Sequence, residues 1–239
     1  MANKTGSYSP GQSMQSIAKL YVQLAAIIAS TVAGLVIARL PNKPTFTITT
    51  ATYVASDVSL SNGSRLDSEF ALLEYAVDEE LPSGTPLTIW AFSNYKEAHK
   101  AYSAVPENGM SLWDVEKSLA DLITTRDTGT YSHIAVKAIA DAADNSTANS
   151  IVCLLLWDGE IGEDLKEFTK QTERLANNRK VAAVVCIGLI TDKGIRSQVE
   201  KAMQCLGDKL IVCGSHDRSQ INQLSDLLKN HVEAIRAGQ

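Results

Sequence analysis

The chain has 239 residues, enough for one large domain or two small ones. Hydrophobic residues make up 45% and charged residues 21% of it, which excludes the disordered and collagen-like classes. The formal net charge is −5 and no run of Lys and Arg is present, so the sequence offers no basic surface for phosphates and we expect no nucleic-acid partner.

The first 40 residues divide into a polar and an apolar part. Residues 1–19 are rich in Ser, Gly, Gln and Asn without apolar periodicity, which is typical of a flexible tail. Residues 20–40 (LYVQLAAIIASTVAGLVIARL) are long and apolar enough to span a bilayer, and Lys19 and Arg39 flank them as interfacial cations do. We expect a single-pass membrane anchor here. Its flanking charges balance, so its orientation is undetermined, with a cytoplasmic domain slightly favoured.

Small side chains recur every four residues in the apolar segment, at Ala26, Ser30, Gly34 and Ala38. They share one helical face and would let a second copy approach closely, which favours self-association as a homo-oligomer. Two alternatives stay open for the segment: a core helix of a soluble protein, or a signal peptide cleaved after Ala38.

A globular domain is predicted for residues 45–239, after a linker at residues 41–44 with the sequence Pro-Asn-Lys-Pro. Strand-like and helix-like segments alternate through it, which predicts an α/β fold: a doubly wound, mostly parallel sheet of about six strands with helices on both faces. The predicted strands are 46–56, 87–92, 151–157, 181–190 and 209–213. The predicted helices are 66–81, 112–123, 134–143, 165–175, 195–206 and 221–235.

The cysteines do not form a spaced framework. Cys153, Cys186 and Cys213 each lie in or beside an apolar run, which predicts buried free thiols rather than disulfides.

Five oxygen-bearing side chains lie in loops at element boundaries. Asp57, Ser59 and Ser61 follow the first strand, Thr130 precedes a helix, and Asp158 follows the apolar strand 151–157. In open α/β sheets, ligands bind at the carboxyl ends of the strands where the winding reverses. Taken singly, each residue is also typical of a helix cap or a turn.

Together the five residues resemble the metal-ion-dependent adhesion site of von Willebrand factor A (vWA) domains, which is written Asp-x-Ser-x-Ser, then Thr, then Asp. The resemblance extends over residues 45–239, and Ser93 after the second strand and Gly159 after Asp158 are also usual in that family. Three positions depart from its pattern. Leu60 lies where the family most often has glycine, Asn62 where it often has methionine, and Trp157 where it often has a small or hydroxyl-bearing residue.

The resemblance implies a divalent cation, Mg²⁺ or alternatively Mn²⁺ or Ca²⁺, bound by Asp57, Ser59, Ser61, Thr130 and Asp158. Hard cations prefer such oxygen ligands, and here the carboxylates are implied to bind largely through water. A position is then left for a Glu or Asp of a protein partner. The implied function is a membrane-anchored protein-binding module, serving as an adaptor or assembly factor.

Two other functions are alternatives to this one. A nucleotide-binding enzyme or a hydrolase on a Rossmann-like sheet would share the fold, but the sequence contains neither a phosphate-binding glycine motif nor Gly-x-Ser-x-Gly. We therefore predict no enzymatic activity. The second alternative is a metal-free scaffold of a membrane complex, which would keep the fold without the five ligands.

Overall fold

The computed structural model describes the chain in separate segments, which are residues 47–59, 61–82, 84–94, 97–104, 117, 130–162, 164–188, 192–214 and 216–238. The predicted anchor at 20–40 and its small-residue face, the tail, the linker and the predicted helix 112–123 lie outside them. Within these segments, no helix is both long and apolar enough to cross a membrane.

Six strands form one mixed sheet. They are β1 (Thr50–Asp57), β2 (Leu87–Phe92), β3 (His99–Ala104), β4 (Ser150–Leu156), β5 (Val181–Ile187) and β6 (Leu210–Cys213). The spatial order is β3-β2-β1-β4-β5-β6, and every neighbouring pair is parallel except β2 and β3. The predicted α/β class and mostly parallel sheet are therefore confirmed.

The antiparallel strand β3 is absent from the predicted elements. It is an edge strand of the described sheet, and His99, Lys100 and Ser103 are exposed on it. An edge strand buries little surface, so its sequence carries neither an apolar run nor a clear alternation. Its register against β2 also shifts between Ile89 and Trp90.

Helices follow most of the strands. They are α1 (Leu66–Tyr75), α2 (Ser132–Asn145), α3 (Leu165–Asn177), α4 (Lys193–Ala202), α5 (Arg218–Ile221) and α6 (Gln223–Ala237). A π-helical segment (Ala76–Glu80) extends α1, and a 3-10 segment (Gln204–Lys209) follows α4. Three helices begin at an aspartate whose carboxylate accepts a backbone N–H of the first turn, namely Asp164, Asp192 and Asp217.

The helices bury both faces of the sheet. Side chains of β4 alternate between two apolar clusters, one with α1, α5 and α6, the other with α2, α3 and α4. Val152, Leu154 and Leu156 lie in the first cluster, and Ile151, Cys153 and Leu155 in the second. This double burial explains the uninterrupted apolar sequence of the strand.

The thiols match the prediction. Cys153, Cys186 and Cys213 are free and buried, while Cys205 is free and exposed.

Candidate metal centre

The sheet's winding reverses between β1 and β4. These strands pair in parallel, with Ser56 opposite Leu156, yet the chain continues from β1 toward one edge and from β4 toward the other. Asp57 is the last residue of β1, and Asp158 lies two residues beyond the end of β4. The loop after β1 and the loop after β4 therefore lead toward opposite edges of the sheet and leave a crevice between these two carboxylates. Ligands of open α/β sheets usually bind in such a crevice.

Hydroxyl groups connect the loops across this crevice. The Ser59 and Ser61 Oγ atoms lie 3.0 Å apart, and Ser61 Oγ donates to Asp158 Oδ2 over 3.0 Å. Thr130 Oγ1 donates to Ser59 Oγ over 3.4 Å, and Ser59 N donates to Asp57 Oδ1 over 2.8 Å. The structure thus brings all five predicted residues together.

Asp57 is fully buried. Its Oδ1 accepts the Ser59 N–H, but its Oδ2 has no hydrogen-bond partner among the described residues. The pKa of this carboxyl is raised to about 7, mainly by burial and to a smaller extent by the charges of Asp158 and Glu160, while the Ser59 hydrogen bonds lower it. A buried carboxylate oxygen without a hydrogen-bond partner is costly, and a cation would remove that cost.

The donor set suits a hard divalent cation. It consists of three neutral hydroxyls and two carboxylates, all oxygen atoms, as Mg²⁺ prefers. In the described segments, no three His, Cys, Asp or Glu side chains converge on a metal position. A cation here would therefore depend on the hydroxyls of Ser59, Ser61 and Thr130.

The loop after β4 is held by its own residues. Asp158 Oδ1 accepts the Glu160 N–H over 3.0 Å, and the Trp157 indole N–H donates to the Glu160 carbonyl over 2.9 Å. Gly162 has φ +76°, and a Cβ there would come within 2.5 Å of the Thr130 carbonyl oxygen. Trp157, a departure from the vWA pattern, thus fastens the loop that carries Asp158, and Gly162 lets Thr130 approach it.

Ser93 links a third strand end to the centre. Its carbonyl accepts the Tyr131 N–H over 2.8 Å, which ties the Thr130 loop to the end of β2. Its Oγ is buried and has no partner among the described residues. From the sequence, Ser93 was expected only as a residue that is usual in the vWA family, and its position after β2 places a further hydroxyl near this edge of the sheet.

Two buried polar residues lie behind the loop and were not predicted as part of the site. Asn62 Nδ2 donates to the Asp57 carbonyl and to Glu69 Oε2, each over 3.0 Å, and neither Asn62 nor Glu69 is exposed. Burial raises the pKa of Glu69 to about 8. The sequence contains one indication that Glu69 is buried. It lies three residues after Leu66, which places it on the apolar face of α1.

Comparison with solved structures identifies the architecture. A von Willebrand factor type A protein from Catenulispora acidiphila matches 79% of this chain with a TM-score of 0.50 at 12% sequence identity. The fold is von Willebrand factor A-like. The match spans 43% of the Catenulispora chain, less than half of its length.

Two further structures match with lower scores. An aerotolerance-related membrane protein from Bacteroides fragilis, with multiple mutations to serines, has a TM-score of 0.48 at 13% identity, covering 78% of this chain and 99% of that one. The manganese-loaded TRAP protein of Plasmodium vivax has a TM-score of 0.47 at 14% identity, covering 77% and 73%. The sequence matches no protein-family model and none of the curated proteins compared with it.

Proposed function

We propose that this chain is a protein-binding module that holds a divalent cation, Mg²⁺ in first place, and uses it to bind a Glu or Asp of a protein partner. Asp57, Ser59, Ser61, Thr130 and Asp158 would hold the cation. The observation that carries this proposal is the continuous network of hydroxyl and carboxylate oxygens that joins the two strand ends at the winding reversal.

The charge of the centre explains why the partner should be acidic. Three of the five ligands are neutral hydroxyls, and the two carboxylates would act largely through water, as the family resemblance implies. A bound cation supplies an exchangeable coordination position whose positive charge is incompletely neutralised. A carboxylate is the protein group that best fills such a position and forms a short charge-assisted contact.

The surface beside the centre also suits a protein partner. Tyr131 and Leu165 are the large hydrophobic side chains exposed in the described part of the chain, by 39% and 52%. Tyr131 follows Thr130 directly, and Leu165 lines a groove of about 860 Å³ together with Asp158 and Glu160. Exposed apolar groups around a polar centre are typical of protein interfaces.

The apolar segment 20–40 completes the proposal as a membrane anchor. An anchored domain raises the local concentration of its sites, so weak single contacts add up when several copies cluster. Clustering through the small-residue face at Ala26, Ser30, Gly34 and Ala38 would serve that purpose. The chain would then act as a membrane-bound adaptor or assembly factor rather than as an enzyme.

Metal binding tests the proposal first. Isothermal titration of the purified full-length chain with MgCl₂ or MnCl₂ should show saturable binding. Asp158→Ala should abolish it while the circular dichroism spectrum stays native, because one of the two carboxylates is lost. Ser64→Ala, an exposed serine in the same loop, is the matched control and should bind normally. Unchanged metal affinity in Asp158→Ala would contradict the assignment, and absence of binding in the wild type would favour the metal-free scaffold.

Partner capture is the second part of the test. The immobilised chain should retain its partner from a lysate only with Mg²⁺ or Mn²⁺ present, and should lose it with chelator or with Ser59→Ala. Capture that persists under both conditions would show that another surface binds the partner.

A further inference from the structure

Glu69 lies beneath the metal centre and belongs to neither the predicted ligands nor the apolar core. Its Oε2 accepts a hydrogen bond from Asn62 Nδ2, and the same amide group donates to the Asp57 carbonyl, both over 3.0 Å. All three residues are fully buried. A short chain of hydrogen bonds therefore leads from Glu69 to the backbone of the first metal-binding carboxylate.

The other carboxyl oxygen of Glu69, Oε1, lies on the side of the backbone that follows β4. A Cβ built on Gly188 would lie 2.2 Å from Glu69 Oε1 and 2.7 Å from the Trp157 carbonyl oxygen. That carbonyl belongs to the peptide that joins Trp157 to Asp158. Glu69 Oε1 thus lies close to the backbone that carries the second metal-binding carboxylate, and it has no hydrogen-bond partner among the described residues.

The chemical state of Glu69 fits this position. Its pKa is raised to about 8, mainly by burial and to a smaller extent by the charges of Asp57 and Asp158, while the Asn62 hydrogen bond and Arg65 lower it. A neutral carboxyl still accepts the Asn62 hydrogen bond through Oε2 and places no full charge beside the backbone at Gly188. A buried polar pair of this kind adds little net stability over an apolar pair of similar volume. We therefore expect the Asn62–Glu69 pair to act mainly by fixing the positions of the two loops.

We propose that Glu69 is a positioning residue of the metal centre, which sets the separation of the Asp57 and Asp158 strand ends through Asn62 and the backbone beside Gly188. Glu69 itself does not bind the cation. The inference rests on the proposed metal-binding function and adds a residue that the vWA motif does not contain.

Three variants of the full-length chain test the inference. Glu69→Leu removes both hydrogen-bonding oxygens and should weaken Mg²⁺ binding about 10- to 100-fold, the usual effect of losing a group that orients metal ligands. Glu69→Gln keeps an acceptor for Asn62 and nearly the same side-chain volume, so its affinity should stay close to that of the wild type. Glu79→Gln, an exposed acid on the segment after α1, is the control for loss of charge.

A second measurement does not depend on the metal. Hydrogen exchange of the Ser59 and Glu160 amides in the metal-free chain reports on the two loops, since these N–H groups donate to Asp57 Oδ1 and Asp158 Oδ1. Glu69→Leu should accelerate exchange at both amides, and Glu69→Gln should not. If Glu69→Leu does not fold, Asn62→Met with Glu69→Leu replaces both hydrogen-bonding partners by apolar groups and takes its place.

The results of these two measurements distinguish a failure of this inference from a failure of the proposed function. Wild-type Mg²⁺ affinity in a folded Glu69→Leu chain, or an equal loss in Glu69→Gln and Glu69→Leu, would overturn the positioning role. A wild-type chain that binds no Mg²⁺ would overturn the proposed function and leave of this inference only the positioning of the two loops. The exchange rates then decide that part, because unchanged rates in Glu69→Leu exclude a positioning role and accelerated rates support it.

Discussion

At the scale of single residues, two buried carboxyl groups have strongly raised pKa values. Burial raises the pKa of Asp57 from 3.8 to about 7 and that of Glu69 from 4.5 to about 8. Both groups therefore take up protons when the metal-free chain folds near neutral pH. Both residues therefore make stability depend on pH in that range, while burial lowers the pKa of His231 and acts in the opposite direction.

The metal-free chain should lose stability as pH rises from about 5 to 8. The folded state binds more protons than the unfolded state between the two pKa values of each group, so the unfolding free energy falls by up to about 1.4 kcal/mol per pH unit and group. The stability that each carboxyl group contributes is fully present at pH values below its pKa in the unfolded chain. It is lost at pH values above its pKa in the folded chain. Urea unfolding in chelator at several pH values measures it.

Glu69→Gln should make that pH dependence shallower, since the amide does not titrate, whereas Glu79→Gln should leave it unchanged. An identical slope in wild type and Glu69→Gln would show that Glu69 does not carry a raised pKa in the folded chain.

The residues of the centre differ in how far sequence could reveal them. Ser59 and Ser61 follow Asp57 in one short motif, and Asp158 follows an apolar strand, so their convergence follows from the parallel sheet. Asn62 and Glu69 pair only because α1 turns one of its acids inward. Nothing in the sequence alone distinguishes that acid from a solvated one, apart from its spacing from Leu66.

At the scale of elements, the apolar strands were predictable and the exposed edge strand β3 was not. The strand predicted at 87–92 has those bounds in the structure, and β4 differs by one residue from its prediction at each end. The helix predicted over 195–206 runs instead from Lys193 to Ala202, followed by a 3-10 segment with Gly207 at φ +55°. Apolar spacing continues through that change of helix type, so periodicity could not locate it.

Gly188, which follows β5, should tolerate no side chain. A Cβ would meet Glu69 Oε1 and the Trp157 carbonyl, and the backbone has φ +107°. Gly188→Ala should therefore lower the unfolding free energy about 1–3 kcal/mol more than Gly84→Ala does. Gly84 is a suitable control because its φ is +76° and no atom lies within 4 Å of the added Cβ.

Thermal or urea unfolding of both variants gives the difference. Equal destabilisation would mean that the strand end moves away from Glu69 without cost, and that the backbone conformation alone requires glycine at Gly188.

At the scale of the whole molecule, the α/β domain and the apolar segment 20–40 rest on different kinds of observation. The vWA-like fold accounts for the described residues, and the anchor stays a prediction from residues 20–40. About 20 apolar residues gain far more free energy from lipid than a peripheral contact does.

The full-length chain should consequently stay in the membrane fraction after washing with alkaline carbonate. A variant with Leu35→Arg and Ile28→Arg, which places two charges within the apolar segment, should be released. Release of the wild type, or a mature N-terminus near Arg39 by mass spectrometry, would replace the anchor by a core helix or a cleaved signal peptide.

The winding reversal also determines when the proposed cation site can form during folding. Ser61 donates a hydrogen bond to Asp158 although 97 positions separate the two residues in the chain. Their approach requires closure of a long loop and docking of β4 beside β1, both late and slow events in a parallel sheet. A cation that binds this centre therefore recognises only chains that have completed the central sheet. It would slow unfolding of finished molecules without guiding the early steps of folding.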